Sequence, residues 1–283
     1  MTVAAPPAGT NNTAGARRIA TAFEVAAAQG RAALIPYVVA GYPDADTGYR
    51  AALAAVDAGA DILELGLPYS DPLADGATLQ RASQVALRNG ATLEGSLRLI
   101  ERVASARPEI PIVPMGYANQ FIGGGDGSES ARRLTSAGAS GVIVADLTPD
   151  EGGPFEAVAR SHDLAVVYLV APTTPRDRRV EIAQRSGGFL YCVSLVGVTG
   201  ARDALDPSIG KLVRDVVAAS PVPVAVGFGV SRPAHARAIA KFGAAGVIVA
   251  SALVDALGED GRDVDRMARL VRELAAATAS SRR

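Results

Sequence analysis

Eight short apolar runs, most of them rich in Val and Ile, alternate along this chain with longer amphipathic stretches. The runs are Ala32–Val39, Ile62–Leu65, Ile110–Met115, Gly141–Ala145, Ala165–Val170, Phe189–Val193, Val222–Val226 and Gly246–Ala250. Strands that read as continuously apolar, without alternation, are covered on both faces, as in parallel sheets. The stretches between them carry helical spacing and helix-end signals. Thr47–Asp57, for example, follows the candidate caps Asp44 and Asp46 and stops at Gly59. Further helices are expected over Thr78–Arg88, Leu93–Ala106, Ser128–Ser136, Pro154–Arg160, Arg176–Gln184, Pro207–Ala219, Pro233–Phe242 and Val264–Ala276. One more, Ile19–Gln29, precedes the first strand. Eight strand–helix units in 283 residues favour a (β/α)8 TIM barrel over an open sheet. The expectation is one α/β domain over residues 17–283 with an extra N-terminal helix. No G-x-G-x-x-G follows the first strand, which weakens a dinucleotide-binding reading. Pro114 is awkward in the third strand, because it cannot donate to a ladder.

Composition narrows the function classes. Apolar residues make up 49% and charged residues 20%, so a large core is available and general disorder is excluded. A formal net charge of −1 argues against a nucleic-acid surface or a polybasic membrane anchor. One cysteine, Cys192, excludes an internal disulfide and a multi-Cys metal site. The longest apolar run, Leu164–Ala171, is too short to span a bilayer. Residues 1–16 are rich in Ala, Pro, Gly, Thr and Asn without an apolar segment, so they read as a disordered tail and not a signal peptide. A soluble, cytoplasmic protein is expected.

In such a barrel the functional face is built from strand C-terminal ends and the loops leaving them. The stretch 61–76 (DILELGLPYSDPLADG) runs from the second strand into such a loop. Glu64 sits among Ile62, Leu63, Leu65 and Leu67, where an ionised carboxylate is costly unless it is paired or its pKa shifts. Asp75 lies on the loop that follows. Two carboxylates in unlike settings are the raw material of acid/base chemistry. The plainer alternative is a strand-end Glu capped by backbone amides and a loop Asp that makes a turn. Three glycine-containing segments, Gly197-Val198-Thr199-Gly200, Gly227-Phe228-Gly229-Val230-Ser231 and Ala250-Ser251, follow the last three strands. Glycines let backbone N–H groups approach an anion, and barrels often hold phosphate at this end. Without a nearby Lys, binding by amides and a hydroxyl is expected. Tyr37, Met115, Tyr117, Ala145, Val170, Tyr191 and Phe228 stand at strand ends and could line a cavity for a flat organic ring. His162 and His235 fall in helical or surface segments and are read as non-functional.

Several segments together resemble the tryptophan synthase α subunit family: IPYVVAGYPD (35–44), LELGLPYSDPLADG (63–76), PIVPMGYANQF (111–121), APTTPRDR (171–178), SLVGVTGAR (194–202), VGFGVS (226–231) and GAAGVIVASALV (243–254). The resemblance covers residues 20 to 276, and its strand-2 segment is the most specific. It implies a lyase of tryptophan biosynthesis, needing no cofactor or metal, that cleaves indole-3-glycerol phosphate to indole and glyceraldehyde 3-phosphate by a retro-aldol. It implies Glu64 and Asp75 as catalytic carboxylates, Tyr191 as a support beside Glu64, and Thr199 as a loop residue contacting Asp75. Tyr37, Tyr117 and Phe228 would line the indole pocket; Gly200, Gly229, Ala250 and Ser251 would form the phosphate corner. The partner implied is a pyridoxal phosphate-bearing β subunit in an α2β2 assembly. Ala250, Ala77, Gln120 and Pro114 depart from the family's usual residues and bear more on coupling to that partner than on the chemistry. A free-standing lyase, a non-catalytic regulator of β and another phosphate-binding barrel are the alternatives.

Overall fold

The computed structural model describes residues 12–193, 207–227 and 229–279. In chain order it contains helix α1 (Ala14–Ala28), β1 (Ala33–Val39), α2 (Ala45–Asp57), β2 (Leu63–Gly66), α3 (Ala77–Arg88), α4 (Leu93–Ala106) and β3 (Ile112–Gly116). Next come α5 (Ala118–Phe121), α6 (Ser128–Ser136), β4 (Gly141–Val144), α7 (Pro149–Ser161), β5 (Ala165–Val167), β6 (Leu169–Val170) and α8 (Arg176–Arg185). The last third holds β7 (Leu190–Val193), α9 (Pro207–Ala219), β8 (Val224–Gly227), α10 (Pro233–Lys241), β9 (Gly246–Val249), α11 (Ser251–Ala256) and α12 (Val264–Ala277). All the strand pairs are parallel, in the order β5-β4-β3-β2-β1-β9-β8-β7-β6. The two outer strands of that order are consecutive in the chain, so the sheet closes on itself as the expected α/β barrel.

The fifth expected strand is broken. β5 pairs only with β4 and β6 only with β7, and Tyr168 stands between them. Its N–H is donated to the buried Ser186 hydroxyl, 2.9 Å, and its carbonyl accepts from the Tyr191 N–H, 3.0 Å. The chain thus changes partner at one residue without leaving a buried amide unpaired. Pro114 is accommodated by a second irregularity. Ile112 bridges Ala139 while Met115 pairs with Ile143, so three steps along β3 face four along the neighbouring strand. Pro114 falls inside that bulged interval, where no ladder donor is required of it.

The N-terminal helix begins earlier than its sequence pattern predicts. Thr13 caps it by accepting from the Ala16 N–H, and the Ala14 and Gly15 N–H groups bond the Asp163 carboxylate and carbonyl, each at 3.0 Å. A Cβ on Gly15 would lie 1.8 Å from the Ser140 carbonyl oxygen, so only glycine permits this approach. The expected tail, residues 1–16, is therefore too long: Ala14, Gly15 and Ala16 are docked helix, and residues 1–11 lie outside the described residues. α1 lies across the N-terminal ends of the strands. Ile19 is fully buried against Gly141 and Gly188, and Phe23 meets Gly246 and stacks at a tilt on Phe189, ring centroids 5.7 Å apart. Nearby, Arg31 and Asp61 form a bidentate pair at 2.6 and 2.7 Å, and the Leu34 N–H also donates to Asp61. Among the described residues no helix is long and apolar enough to cross a membrane.

Candidate active site

The opposite end of the barrel collects the polar groups. Glu64 is the second residue of β2, pairs in register with Tyr37 of β1, and is 1% exposed. Neither carboxylate oxygen has a hydrogen-bond partner among the described residues. Burial, and then the nearby Asp75 charge, push its pKa up to about 8. At neutral pH it is therefore mostly protonated, the form in which an unpaired buried carboxyl is least costly. The plainer alternative for this residue, capping by backbone amides, is not what the structure shows.

Asp75 sits on the loop leaving β2, and three contacts hold it there. Its N–H donates to the Pro72 carbonyl, 3.0 Å, its carbonyl accepts from Gln80 Nε2, 2.8 Å, and its carboxylate accepts from the Tyr117 hydroxyl. Burial raises its pKa to about 6, and the Tyr117 hydrogen bond opposes that rise. The two carboxyls thus differ in protonation at pH 7, one mostly neutral and one mostly ionised.

Three phenols surround them. Tyr37 and Tyr191 are buried, and both hydroxyls titrate well above the usual tyrosine range, first through desolvation and then through the carboxylates beside them. Tyr117 follows β3; its hydroxyl accepts from the Ala74 N–H, 3.0 Å, and its pKa is raised by burial and by Asp75. Its ring stacks on Tyr69, centroids 5.0 Å apart. Two glycines seat the deeper rings. A Cβ on Gly66 would meet the Tyr37 hydroxyl at 1.7 Å, and one on Gly227 the Tyr191 hydroxyl at 2.6 Å. Both end strands neighbouring the strand of the phenol they seat. In sequence they look like ordinary strand-end glycines.

Sequence reasoning also passed over Tyr69 and undervalued Gln120. The Gln120 side chain accepts from the Tyr117 N–H, 3.0 Å, and donates to the Pro68 carbonyl, 3.1 Å, so it ties the loops after β2 and β3 together. Asn119 reaches the Tyr69 hydroxyl at 3.4 Å. Ala77, the other departure on this rim, opens α3 as an exposed first residue with Gly76 as its N-cap.

At the other side of the rim, Gly229 adopts a left-handed φ of +75° with open space beside its Cα. Ala250 is the N-cap of α11 and is partly buried against the core, while Ser251 is exposed on the first turn. Ser231 and Ser251 face a cleft of about 410 Å³ that Arg266 and Arg269 of α12 also line. Asp255 and Glu273 line the same cleft, so the two arginines are matched there by two acids. His235, read from sequence as an uninvolved helical or surface residue, is 5% exposed and lies under the Gly229–Ser231 turn. Thr199, Gly200 and Phe228 fall outside the described residues.

A protein-family model described as tryptophan synthase alpha chain matches residues 23–281. The tryptophan synthase alpha chain of Roseiflexus sp. (strain RS-1) is 45% identical over 259 residues, 91% of this chain and 98% of that one. That of Methanothermobacter thermautotrophicus is 43% identical, covering 86% and 89% of the two chains. Among solved structures, tryptophan synthase of Mycobacterium tuberculosis superposes with a TM-score of 0.85 at 41% identity, covering 93% of this chain and 98% of that one. The alpha subunit from Legionella pneumophila gives a TM-score of 0.84 at 32% identity, with 92% and 98% covered.

Proposed function

Because the chain belongs to the tryptophan synthase alpha chain family, carbon–carbon lyases that cleave indole-3-glycerol phosphate in tryptophan biosynthesis, we propose that Glu64 carries the protons and Asp75 steadies the ring. The observation that carries this reading is the buried, unpartnered Glu64 carboxyl with a pKa near 8, beside an Asp75 near 6. A bond from carbon to an aromatic ring breaks readily only once the ring carbon is protonated. Neutral Glu64 gives its proton to indole C3, and positive charge spreads to the ring nitrogen. Ionised Asp75 accepts the indole N–H hydrogen bond and stabilises that charge. The Glu64 carboxylate then takes the proton from the hydroxyl on the carbon bonded to C3. That carbon becomes the aldehyde of glyceraldehyde 3-phosphate, the C–C electron pair returns to the ring, and indole leaves. Glu64 ends protonated as it began, so one residue serves both transfers.

Tyr37, Tyr117 and Tyr191 line the ring side, and Tyr191 helps to hold Glu64 neutral by keeping the cavity dry. Gly229, Ala250 and Ser251, with Gly200, Thr199 and Phe228, complete the substrate site in this reading. The assay is indole released from indole-3-glycerol phosphate. Glu64→Gln and Asp75→Asn should each lower kcat by about 10²–10⁴-fold, the range of a lost proton-transfer or charge-stabilising group. Undiminished turnover by Glu64→Gln would overturn the assignment.

A pyridoxal phosphate-bearing β subunit is the proposed partner, seated on the rim formed by the loops after β2 and β3. Leu73, 92% exposed on the same loop as Asp75, is the apolar side chain that such a partner would cover. A partner there would press on the loop that positions the carboxylate. Adding purified β subunit should raise indole output, and Leu73→Ala should weaken that response while sparing the rate of the isolated chain. An indole output that does not change with β subunit favours the free-standing lyase.

A further inference from the structure

We propose that His235 is a positioning residue for phosphate binding, fixing the Gly229–Ser231 turn from behind so that its amides are set before substrate arrives. The inference rests on the reading that Gly229 and Ser251 hold the substrate phosphate. His235 is the third residue of α10, the position from which a helical side chain can reach back to the N–H groups ahead of its own helix. Its Nδ1 lies 3.3 Å from the Ser231 nitrogen, 3.5 Å from the Ser231 hydroxyl and 3.1 Å from the Gly229 carbonyl. Its Nε2 is buried with no partner among the described residues.

That arrangement is more than packing. One ring nitrogen faces a donor and an acceptor on the same turn and serves one of them at a time. With Nδ1 bare, it accepts from the Ser231 N–H. With Nδ1 protonated, it donates to the Gly229 carbonyl and leaves the Ser231 N–H and hydroxyl free to face an anion. Val230, 3% exposed, anchors the turn between these two contacts, so the ring sets its orientation and not merely its presence. The left-handed Gly229 is the residue whose conformation the imidazole holds through its carbonyl. In either form the ring holds the turn from behind, through the Ser231 N–H or the Gly229 carbonyl, before an anion arrives.

Interactions made equally in ground state and transition state change KM and leave kcat alone. His235→Ala should raise KM for indole-3-glycerol phosphate, and the inhibition constant of glycerol 3-phosphate, by roughly three- to tenfold, the worth of one hydrogen bond. Indole affinity and kcat should stay within about twofold on the same reasoning. His235→Asn, whose amide stands one bond past Cγ where Nδ1 stood, should restore most of the loss. If the Ala variant does not fold, His235→Leu, which fills the space without a polar atom, takes its place in the comparison with Asn. A KM and glycerol 3-phosphate affinity that do not move, or a loss that Asn fails to rescue, would make His235 a plain core residue and overturn the proposal. A Gly229→Val control separates the two readings: if it leaves glycerol 3-phosphate binding intact, the phosphate placement itself is wrong, whatever His235 does.

Discussion

The two ends of this barrel are built on opposite terms. At the N-terminal end, α1 closes the mouth with Ile19 and Phe23, and the charged pair Arg31–Asp61 is bidentate and further bonded to the backbone. At the C-terminal end, Glu64 is buried without a hydrogen-bond partner among the described residues, beside the Tyr37 and Tyr191 phenols. Asp61 at one end is fully paired, whereas Glu64 at the other is not. A fold that pairs the one carboxyl and leaves the other bare has set its stability apart from its chemistry.

Substitutions can break or sharpen that contrast. The largest effect is expected at Glu64, where Gln should cost about 10²–10⁴-fold in kcat and yet stabilise the fold at high pH. The folded-state pKa of about 8 stands above the ordinary 4.5. Wild-type stability from this group is therefore full below pH 4.5 and lost as pH rises through 8. Gln carries no such loss, so above pH 8 the variant should gain on the order of 4 kcal/mol over wild type, relative to their difference at low pH. Urea unfolding at pH 5 and about pH 9 measures it. Equal pH dependence in the two proteins would mean that Glu64 is not held neutral.

Phe23→Ala probes the other end. It should cost about 3–5 kcal/mol of stability by leaving a cavity under the barrel, with kcat/KM of the folded enzyme unchanged. A fall in kcat/KM at a temperature where the variant is fully folded would show that the two ends are coupled. Asp61→Ala comes next, at roughly 1.5–3 kcal/mol for charged hydrogen bonds lost around a half-buried Arg31, again with activity intact. The smallest effect is a shift in a pH profile. With Glu64 acting protonated and Asp75 acting ionised, kcat/KM should be bell-shaped, with limbs near 6 and 8. Because the Asp75 charge helps to raise Glu64, the residual activity of Asp75→Asn should lose its acidic limb and move its alkaline limb downward.

The sequence carried the parts of this contrast that depend on composition and period. Each of the eight apolar runs contains strand, and Glu64 announced itself as a carboxylate among aliphatics. What the sequence hid depends on contacts between distant residues. Tyr168 looks like its apolar neighbours, and only the exchange of partners between β4 and β7 makes it a break. Ala14-Gly15-Ala16 has the composition of a tail, but Gly15 is there to meet Ser140. Gly66 and Gly227 read as strand ends until the phenols lying on them are seen. Gln120 read as a departure weakening a partner contact, whereas its side chain braces two site loops. His235 looked like an ordinary helical residue because nothing local marks a ring that bonds the turn before it.

The break at Tyr168 has a consequence for how the reaction site is divided. On one side of the ring, β1 and β9 are joined by a continuous ladder; on the other, β5 and β6 meet at Tyr168, and the Gly187 N–H to Val166 carbonyl and Tyr191 N–H to Tyr168 carbonyl bonds tie that seam. The barrel wall is thus two halves, β1–β5 and β6–β9, that meet at a ladder on one side and at Tyr168 on the other. Glu64, Asp75 and Tyr117 ride on the first half, and Tyr191, Gly229 and Ser251 on the second. A substrate with its ring over one half and its phosphate over the other is a crossbar, and bond cleavage cuts that crossbar in two.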